Sequence, residues 1–253
     1  GQLRYALERN QFTLEYQPKW SPTERRTVGV EALIRWRNVA GQVIPPNDFV
    51  PVLEALGLIV PVGAWVIDTA LAQLARWRQA GARDLHMAVN LSPIELEDDG
   101  VLDTLRLALA RHGLEESLLE VEITETTLLR STSRAHFVLG ELRRRGVRVA
   151  LDDFGTGHSS LANLASFEVD ALKIDRSFVL ADDRRSQAIV ASIIDLAHRL
   201  GIEVVAEGVE TQAQHDALIA AGCDLLQGYL LGRPSAPDAR SLSDSLSLPP
   251  PEA

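Results

Sequence analysis

Short β-rich runs alternate with helical segments along most of the chain. Several of the helical segments stop at a glycine that follows basic residues, as in Arg143-Arg144-Arg145-Gly146, and this pattern is typical of a helix end. The eight strand-like runs cover residues 12–16, 28–36, 86–91, 118–124, 148–154, 171–175, 203–209 and 224–231.

Strands that alternate with helices predict parallel βαβ units, and eight of them in 253 residues predict a (β/α)8 TIM-like barrel. The link between the first two strands, residues 21–27, is too short for a crossover helix. We therefore expect an α/β barrel with an antiparallel first strand. The predicted domain covers residues 1–236, and residues 237–253, rich in Ser and Pro, are expected to form a flexible tail.

Polar residues stand on seven of the predicted strands or at their ends, where the sequence is otherwise apolar. The carboxyl ends of barrel strands meet on one face, and barrel enzymes build their active sites there. A single acidic residue at such a position is usually a helix cap or a turn residue, but seven on seven strands are hard to attribute to capping. The set is Glu31, Asn90, Glu122 with Glu125, Asp152 with Asp153, Lys173, Glu207 and Gln227.

The residue types in this set indicate divalent metal ions held by oxygen atoms. Several carboxylates and one amide, with no His or Cys cluster nearby, favour Mg²⁺ or Mn²⁺ over zinc. The adjacent Asp152 and Asp153 suggest two ions a few Å apart, as in two-metal phosphodiester hydrolysis. The net charge of −10 argues against binding to a DNA or RNA duplex, so an anionic substrate would need positive charge from metal ions.

Three further features indicate the cellular location. The apolar stretch 55–67 has thirteen residues without a charged one and is too short to cross a membrane. No signal peptide is recognisable at the start of the sequence, and the single cysteine, Cys223, fits a reducing compartment. We expect a cytoplasmic domain that makes no membrane contact itself. Because the first residue is Gly, we also expect a longer parent protein, which membrane segments elsewhere could tether.

The run Glu31-Ala32-Leu33-Ile34-Arg35-Trp36 resembles the signature of EAL domains, phosphodiesterases that linearise cyclic di-GMP. The resemblance extends from about residue 3 to residue 234 and includes an ordered series of further motifs. These are Tyr16-Gln17-Pro18, Val89-Asn90-Leu91-Ser92, Glu122-Ile123-Thr124-Glu125, Leu151-Asp152-Asp153-Phe154-Gly155-Thr156-Gly157, Leu172-Lys173-Ile174-Asp175, Ala206-Glu207-Gly208-Val209-Glu210-Thr211 and Gln227-Gly228-Tyr229.

The resemblance implies two Mg²⁺ or Mn²⁺ ions in each active site, with Ca²⁺ as an inhibitor because its coordination is longer and looser. Lys173 would orient or deprotonate the attacking water, and it would form the catalytic centre with Glu31 and Asp152. The first ion would be held by Glu31, Asn90, Glu122 and Asp152, and the second by Asp152, Asp153 and Glu207.

The resemblance also implies residues that bind the substrate. Gln17 and Arg35 would contact it directly, and Asp175, Glu210 and Gln227 would support the ligand or metal-bound water. Glu125 would anchor the loop 153–160, which connects the metal site to a dimer interface in this family.

Two residues depart from the family pattern. His158 stands where many members have Tyr, and Glu95 stands where the helix after Asn90 often has Gln. Neither is an expected ligand, so the departures concern loop regulation and dimer contacts rather than the chemistry.

The implied activity is hydrolysis of cyclic di-GMP to linear 5'-pGpG, in the bacterial second-messenger signalling that regulates biofilm formation and motility. A homodimer is expected, with a sensor or diguanylate-cyclase-type domain upstream in the parent chain.

One alternative is a degenerate EAL domain that binds cyclic di-GMP without cutting it. Such members typically lose metal ligands or the lysine, and this sequence keeps all of them. Another alternative is a barrel enzyme for a different phosphate ester.

Overall fold

Eight strands close into a ring around a polar interior. The structure is a computed structural model that describes residues 3–129, 132–155, 168–181 and 183–246. A ninth strand, β3 (Val43–Ile44), pairs with β2 outside the ring. The strands of the ring are β1 (Phe12–Ser21), β2 (Arg26–Arg37), β4 (His86–Asn90), β5 (Leu119–Thr124), β6 (Arg148–Phe154), β7 (Ala171–Ile174), β8 (Glu203–Ala206) and β9 (Leu225–Leu226).

The direction of the first strand distinguishes this ring from an all-parallel barrel. β1 runs antiparallel to both of its neighbours, β2 and β9, whereas every other neighbouring pair in the ring is parallel. The β1–β2 pair is a long hairpin in which Gln17 lies opposite Glu31 and Ser21 lies opposite Arg26. The predicted α/β barrel with an antiparallel first strand is therefore confirmed.

Helices surround the ring, and short polar side chains cap the first turns of several of them. Asp183 accepts hydrogen bonds from the first backbone N–H groups of α8, and Thr211 forms a capping box with Gln214 at the start of α9. No helix in the described ranges combines the length and the hydropathy that crossing a membrane requires. The helices are α1 (Pro46–Ala55), α2 (Ile59–Gln79), α3 (Pro93–Glu97), α4 (Val101–His112), α5 (Glu125–Leu129), α6 (Ser133–Arg144), α7 (Arg176–Leu180), α8 (Arg184–Arg199), α9 (Gln212–Ala220) and α10 (Arg240–Ser245), with single 3₁₀ turns at Leu3–Tyr5 and Glu116–Leu118.

The apolar core lies between the ring and the helices. In β5, Leu119, Val121 and Ile123 are fully buried in this core, whereas the alternate residues Glu120 and Glu122 point into the ring. Because strand side chains alternate between two faces, the same strand supplies the core and the polar interior.

A second, smaller core fixes α1 over the β1–β2 hairpin. The rings of Phe12 and Phe49 are 5.9 Å apart, and those of Trp36 and Phe49 are 5.7 Å apart. Aromatic contacts of this kind add to the hydrophobic stabilisation of their buried area. Helix α1 is therefore held beside the end of β2.

The carboxyl-terminal segment differs from the expected tail. Tyr16 and Ser235 exchange two backbone hydrogen bonds, and α10 places Leu242 and Leu246 in the main core. These two leucines are four residues apart, so one helical turn brings them to the same face. The Ser- and Pro-rich composition of the segment obscured this pattern. Residues 247–253 lie outside the described residues.

Replacing Leu242 by alanine tests this packing. Leu242 is 2% exposed, so Leu242→Ala should lower the free energy of unfolding by about 2–4 kcal/mol. Urea denaturation followed by circular dichroism measures the change, with the exposed Ser241→Ala as the matched control. An unchanged midpoint for Leu242→Ala would mean that α10 is detached from the core in solution.

Candidate active site

A buried lysine on β7 contacts four carboxylates from other parts of the ring. Lys173 on β7 is 1% exposed, and its Nζ lies 2.7 Å from Glu122 Oε2 and 2.8 Å from Glu207 Oε1. The same Nζ lies 3.1 Å from Asp152 Oδ2 and 3.3 Å from Glu31 Oε2. These contacts bring residues from β2, β5, β6, β7 and the end of β8 to one point.

Glu31 is held in place by amide side chains as well as by this lysine. Asn90 at the end of β4 donates to Glu31 Oε1 at 2.9 Å, and Gln227 donates to Glu31 Oε2 at 2.7 Å. Gln227 Nε2 also lies 3.1 Å from Gln17 Oε1, and Gln17 donates to the carbonyl oxygen of Gly232 at 3.2 Å. The orientation of the Glu31 carboxylate is therefore fixed by three donors.

An irregularity in β6 explains how two adjacent aspartates reach one site. The register against β7 shifts between Leu151 and Phe154, because β6 carries one extra residue. Asp153, within this bulge, has a φ of 55°, which is uncommon for a residue other than glycine. A regular strand would point Asp152 and Asp153 to opposite faces. The bulge instead brings both carboxylates toward Glu207.

The carboxylates form two groups that share Asp152. Each group has one oxygen atom from each of three residues, and these oxygens lie within 4.8 Å of one another. Carboxylate oxygens alone suit a hard cation such as Mg²⁺ or Mn²⁺, so the donor set fits the predicted ions. The groups are Glu31, Glu122 and Asp152, and Asp152, Asp153 and Glu207. Asn90 lies beside the first group through its hydrogen bond to Glu31.

The concentration of negative charge perturbs the carboxyl groups. Burial and the charge of Glu31 raise the pKa of Glu122 to about 8, and burial raises the pKa of Glu207 to about 7. Burial acts in the same direction on Glu31, but the charges of Lys173 and Lys19 and two amide hydrogen bonds outweigh it and lower the pKa to about 2. Buried anions are costly unless cations pair with them, so the cluster is suited to metal binding.

The other predicted substrate-binding residues lie at different distances from this cluster. Arg35 Nε is 2.7 Å from Glu15 Oε2, and Arg35 borders a cavity beside the cluster. Asp175 caps α7 by accepting from Ser177, and it is close enough to Asp153 to contribute to raising the pKa of that aspartate. Within the described part of the chain, no hydrogen bond or ion pair joins the side chain of Glu210 to the cluster.

Glu125, the expected loop anchor, contacts the described start of its loop. Glu125 is buried, and its Oε2 accepts from the backbone N–H of Gly155 at 3.0 Å. Gly155 has a φ of 97°, and an added Cβ would lie 2.7 Å from the ring of Phe178, so glycine is required for this contact. The loop from residue 156 onward, with His158, lies outside the described residues.

Comparison with known proteins identifies the family of this fold and site. The sequence model of the EAL domain matches residues 1–234. The chain belongs to the EAL domain family.

Relatives include MucR, a bifunctional diguanylate cyclase and cyclic di-GMP phosphodiesterase of Pseudomonas aeruginosa. It is 46% identical over 92% of this chain and 34% of its own length. The cyclic di-GMP phosphodiesterase PdeR of Escherichia coli is 39% identical over 92% of this chain and 35% of its own length. The chain therefore spans about a third of the length of these relatives.

Solved structures of EAL domains have the same fold. The MucR phosphodiesterase in complex with c-di-GMP is 46% identical and has a TM-score of 0.87, with 92% of this chain and 95% of that chain covered. The FimX EAL domain from Pseudomonas aeruginosa, bound to c-di-GMP, is 29% identical and has a TM-score of 0.83, with 92% and 94% covered.

A cavity of about 800 Å³ beside the carboxylates of this EAL domain was not foreseen from the strand pattern. Apolar side chains of α1 and α2 form one wall, and the loop after β4 with α3 forms another. Glu95 borders the cavity, and its carboxylate accepts from Ser92 at the start of α3. A Cβ on Gly63 of α2 would lie 1.6 Å from Glu95 Oε1, so the small residue makes room for the carboxylate.

Replacing Glu95 tests the electrostatics of this wall of the EAL domain. Burial raises the pKa of Glu95 from an ordinary value of 4.5 to about 7. The folded state disfavours the ionised form, so this group stabilises the fold less as the pH rises from about 4.5 to about 7. At pH 8, Glu95→Gln should therefore unfold at a higher temperature than the wild type, and its free energy of unfolding should be larger by about 1–3 kcal/mol. At pH 5 this difference in free energy should be smaller.

Thermal unfolding across this pH range measures the difference. Glu97→Gln, an exposed change on the same helix, is the control and should show a small difference that is independent of pH. A constant difference between Glu95→Gln and the wild type from pH 5 to pH 8 would contradict the shifted pKa.

Proposed function

We propose that this EAL domain hydrolyses cyclic di-GMP to linear 5'-pGpG with two Mg²⁺ or Mn²⁺ ions. The observation that carries the proposal is the pair of carboxylate groups that share Asp152 and surround Lys173. The names of the relatives MucR and PdeR, and the c-di-GMP bound to the MucR phosphodiesterase, support this substrate. A degenerate receptor is not favoured, since this chain has every expected ligand and the lysine.

The proposed ligands divide between the two ions according to the two groups. Bound there, the ions would activate water for attack on phosphorus and neutralise the charge of the phosphate. The first ion would be held by Glu31, Asn90, Glu122 and Asp152, and the second by Asp152, Asp153 and Glu207.

Lys173 is proposed to act on the attacking water. Burial tends to lower the pKa of this lysine, but the charges of Asp152, Glu122, Glu207 and Glu31 outweigh burial and raise it well above its ordinary value. The ammonium group therefore has N–H groups to donate, and it is fixed by four carboxylates on other parts of the ring. With the metal ions bound, Lys173 would orient or deprotonate the attacking water.

The remaining proposed roles concern the substrate. Arg35 would bind a phosphate with its planar guanidinium, which Glu15 holds in place. Gln17 would also contact the dinucleotide, and Gln227, which donates to both Gln17 and Glu31, would support the ligand or metal-bound water. Asp175 and Glu210 would support the ligand or the bound water, and Glu125 would keep the following loop in place.

We further propose the context in which the domain works. The domain of residues 1–236, extended by the helix α10 that packs against its core, forms a homodimer and belongs to a longer chain with a sensor or cyclase-type domain. MucR, which is named for both cyclase and phosphodiesterase activity, supports the longer chain with a cyclase-type domain. The setting would be cytoplasmic second-messenger signalling that controls biofilm formation and motility.

Incubation with cyclic di-GMP and chromatography of the products tests the proposed reaction. We expect 5'-pGpG with Mg²⁺ or Mn²⁺, no product with EDTA, and strong inhibition by Ca²⁺, whose longer bonds do not suit the two groups. Asp152→Asn is the matched inactive control, because Asp152 belongs to both groups. Equal turnover in EDTA would exclude the metal mechanism, and binding of cyclic di-GMP without product would identify a receptor.

Replacing Lys173 by arginine tests the role of the lysine. Lys173→Arg keeps the charge but places a larger, planar group where four carboxylates surround a compact ammonium. We expect kcat to fall by about 10²–10⁴ at saturating metal and substrate, because the water is displaced or left without its partner. A kcat within a few-fold of the wild type would show that Lys173 contributes charge alone.

A further inference from the structure

A second buried lysine lies closer than Lys173 to the amino-terminal end of the parallel strands. Lys19 on β1 is 3% exposed, and its Nζ lies 2.5 Å from Glu122 Oε1 and 2.7 Å from Glu120 Oε1. β1 and β5 are separated by two other strands, so this side chain crosses the interior of the ring. Lys19 and Lys173 are the two lysines of the whole chain, and both contact Glu122.

The two lysines hold opposite oxygens of the same carboxylate. Glu122 is fully buried, its Oε1 faces Lys19, and its Oε2 faces Lys173. Lys173 also contacts Glu31 Oε2 and Asp152 Oδ2, so Oε2 of Glu122 is the oxygen on the side of the first carboxylate group. As long as Lys19 binds Oε1, the carboxylate cannot rotate or offer both oxygens to a metal ion.

Lys19 is itself held from the amino-terminal end of the ring. Glu120 binds Lys19 through Oε1, and its Oε2 accepts from Arg148 Nε at 3.2 Å. Arg148 in turn forms an ion pair with Glu203 at the start of β8. Alternating charges thus continue from Lys173 through Glu122 and Lys19 to the opposite end of the ring, which gives Lys19 little freedom to move.

We propose that Lys19 is a positioning residue that fixes Glu122 so that it presents one oxygen, Oε2, to the first metal ion. This inference rests on the proposed function for the location of the ion. Groups that orient metal ligands typically contribute 10–100-fold to metal affinity. Strand-end patterns in the sequence do not reveal this role, because Lys19 lies within β1.

A purely structural role for Lys19 makes a different prediction. Breaking a buried ion pair leaves an uncompensated charge and destabilises the fold, but the folded fraction would keep its metal affinity. Removing a positive charge near bound cations would, by charge alone, strengthen metal binding. If metal binding becomes weaker when Lys19 is replaced, the cause is therefore the lost positioning of Glu122 and not the lost charge.

The test measures Mn²⁺ binding to metal-free protein by the electron paramagnetic resonance of free Mn²⁺. We expect Lys19→Met to weaken binding to the carboxylate groups by at least about tenfold. Arg148→Met is the matched control, because Arg148 also pairs with Glu120 but has no ion pair with Glu122. It should leave the Mn²⁺ affinity within about twofold. Circular dichroism confirms that each variant is folded at the temperature of the titration.

A second variant keeps the test decisive if Lys19→Met does not fold. Lys19→Met combined with Glu120→Gln removes one positive and one negative charge, so the interior keeps its net charge while Glu122 Oε1 still loses its partner. Mn²⁺ affinity within about twofold of the wild type in the folded variant would overturn the proposal. A wild-type protein that binds Mn²⁺ but does not hydrolyse cyclic di-GMP would instead overturn the proposed function, and the comparison of Mn²⁺ affinities would still decide the role of Lys19.

Discussion

The balance of charge inside the ring is the constraint on which the site depends. Glu31, Glu122, Asp152 and Glu207 come from different strands, yet each contacts the ammonium group of Lys173. Carboxylates whose oxygens lie within 4.8 Å of one another repel each other, and in a buried site this repulsion is weakly screened. The ammonium group of Lys173 allows the four carboxylates to lie close together. Because four carboxylates surround one lysine, an excess of negative charge remains, and this excess suits divalent metal ions. Attraction to one residue thereby defines the geometry of the whole cluster.

The fold supplies this cluster by separating two kinds of side chain. Outward-facing residues such as Val121 and Ile123 provide the apolar core against the helices, so the inward-facing residues are free to be ionic. Many barrels fill their interior with branched apolar layers. Here much of that space holds alternating charges, including the Lys19–Glu120 pair. Stability and chemistry therefore depend on opposite faces of the same strands.

The sequence predicted most of the barrel and the residues around Lys173, because both follow from local patterns. The alternation of strands and helices is visible in the amino-acid sequence. Acidic residues at strand ends are recognisable there because their neighbours are apolar. Lys19 and the packing of Leu242 were missed for a common reason. Each depends on partners distant in the sequence. No motif marks Lys19, and the Ser- and Pro-rich composition obscures the helical spacing of Leu242 and Leu246. The strained backbone of Asp153 is equally invisible without its pairing partner.

The placement of the two lysines has a consequence for chemical labelling. All other basic side chains that carry a full charge at neutral pH are arginines, and both lysines are almost completely shielded from solvent. Reagents that acylate lysine side chains require an accessible, neutral amine, which neither lysine offers in the folded ring. Modification at Lys19 or Lys173 thus requires the ring to open. The rate at which acyl groups accumulate on these two residues would then measure how often the native barrel unfolds.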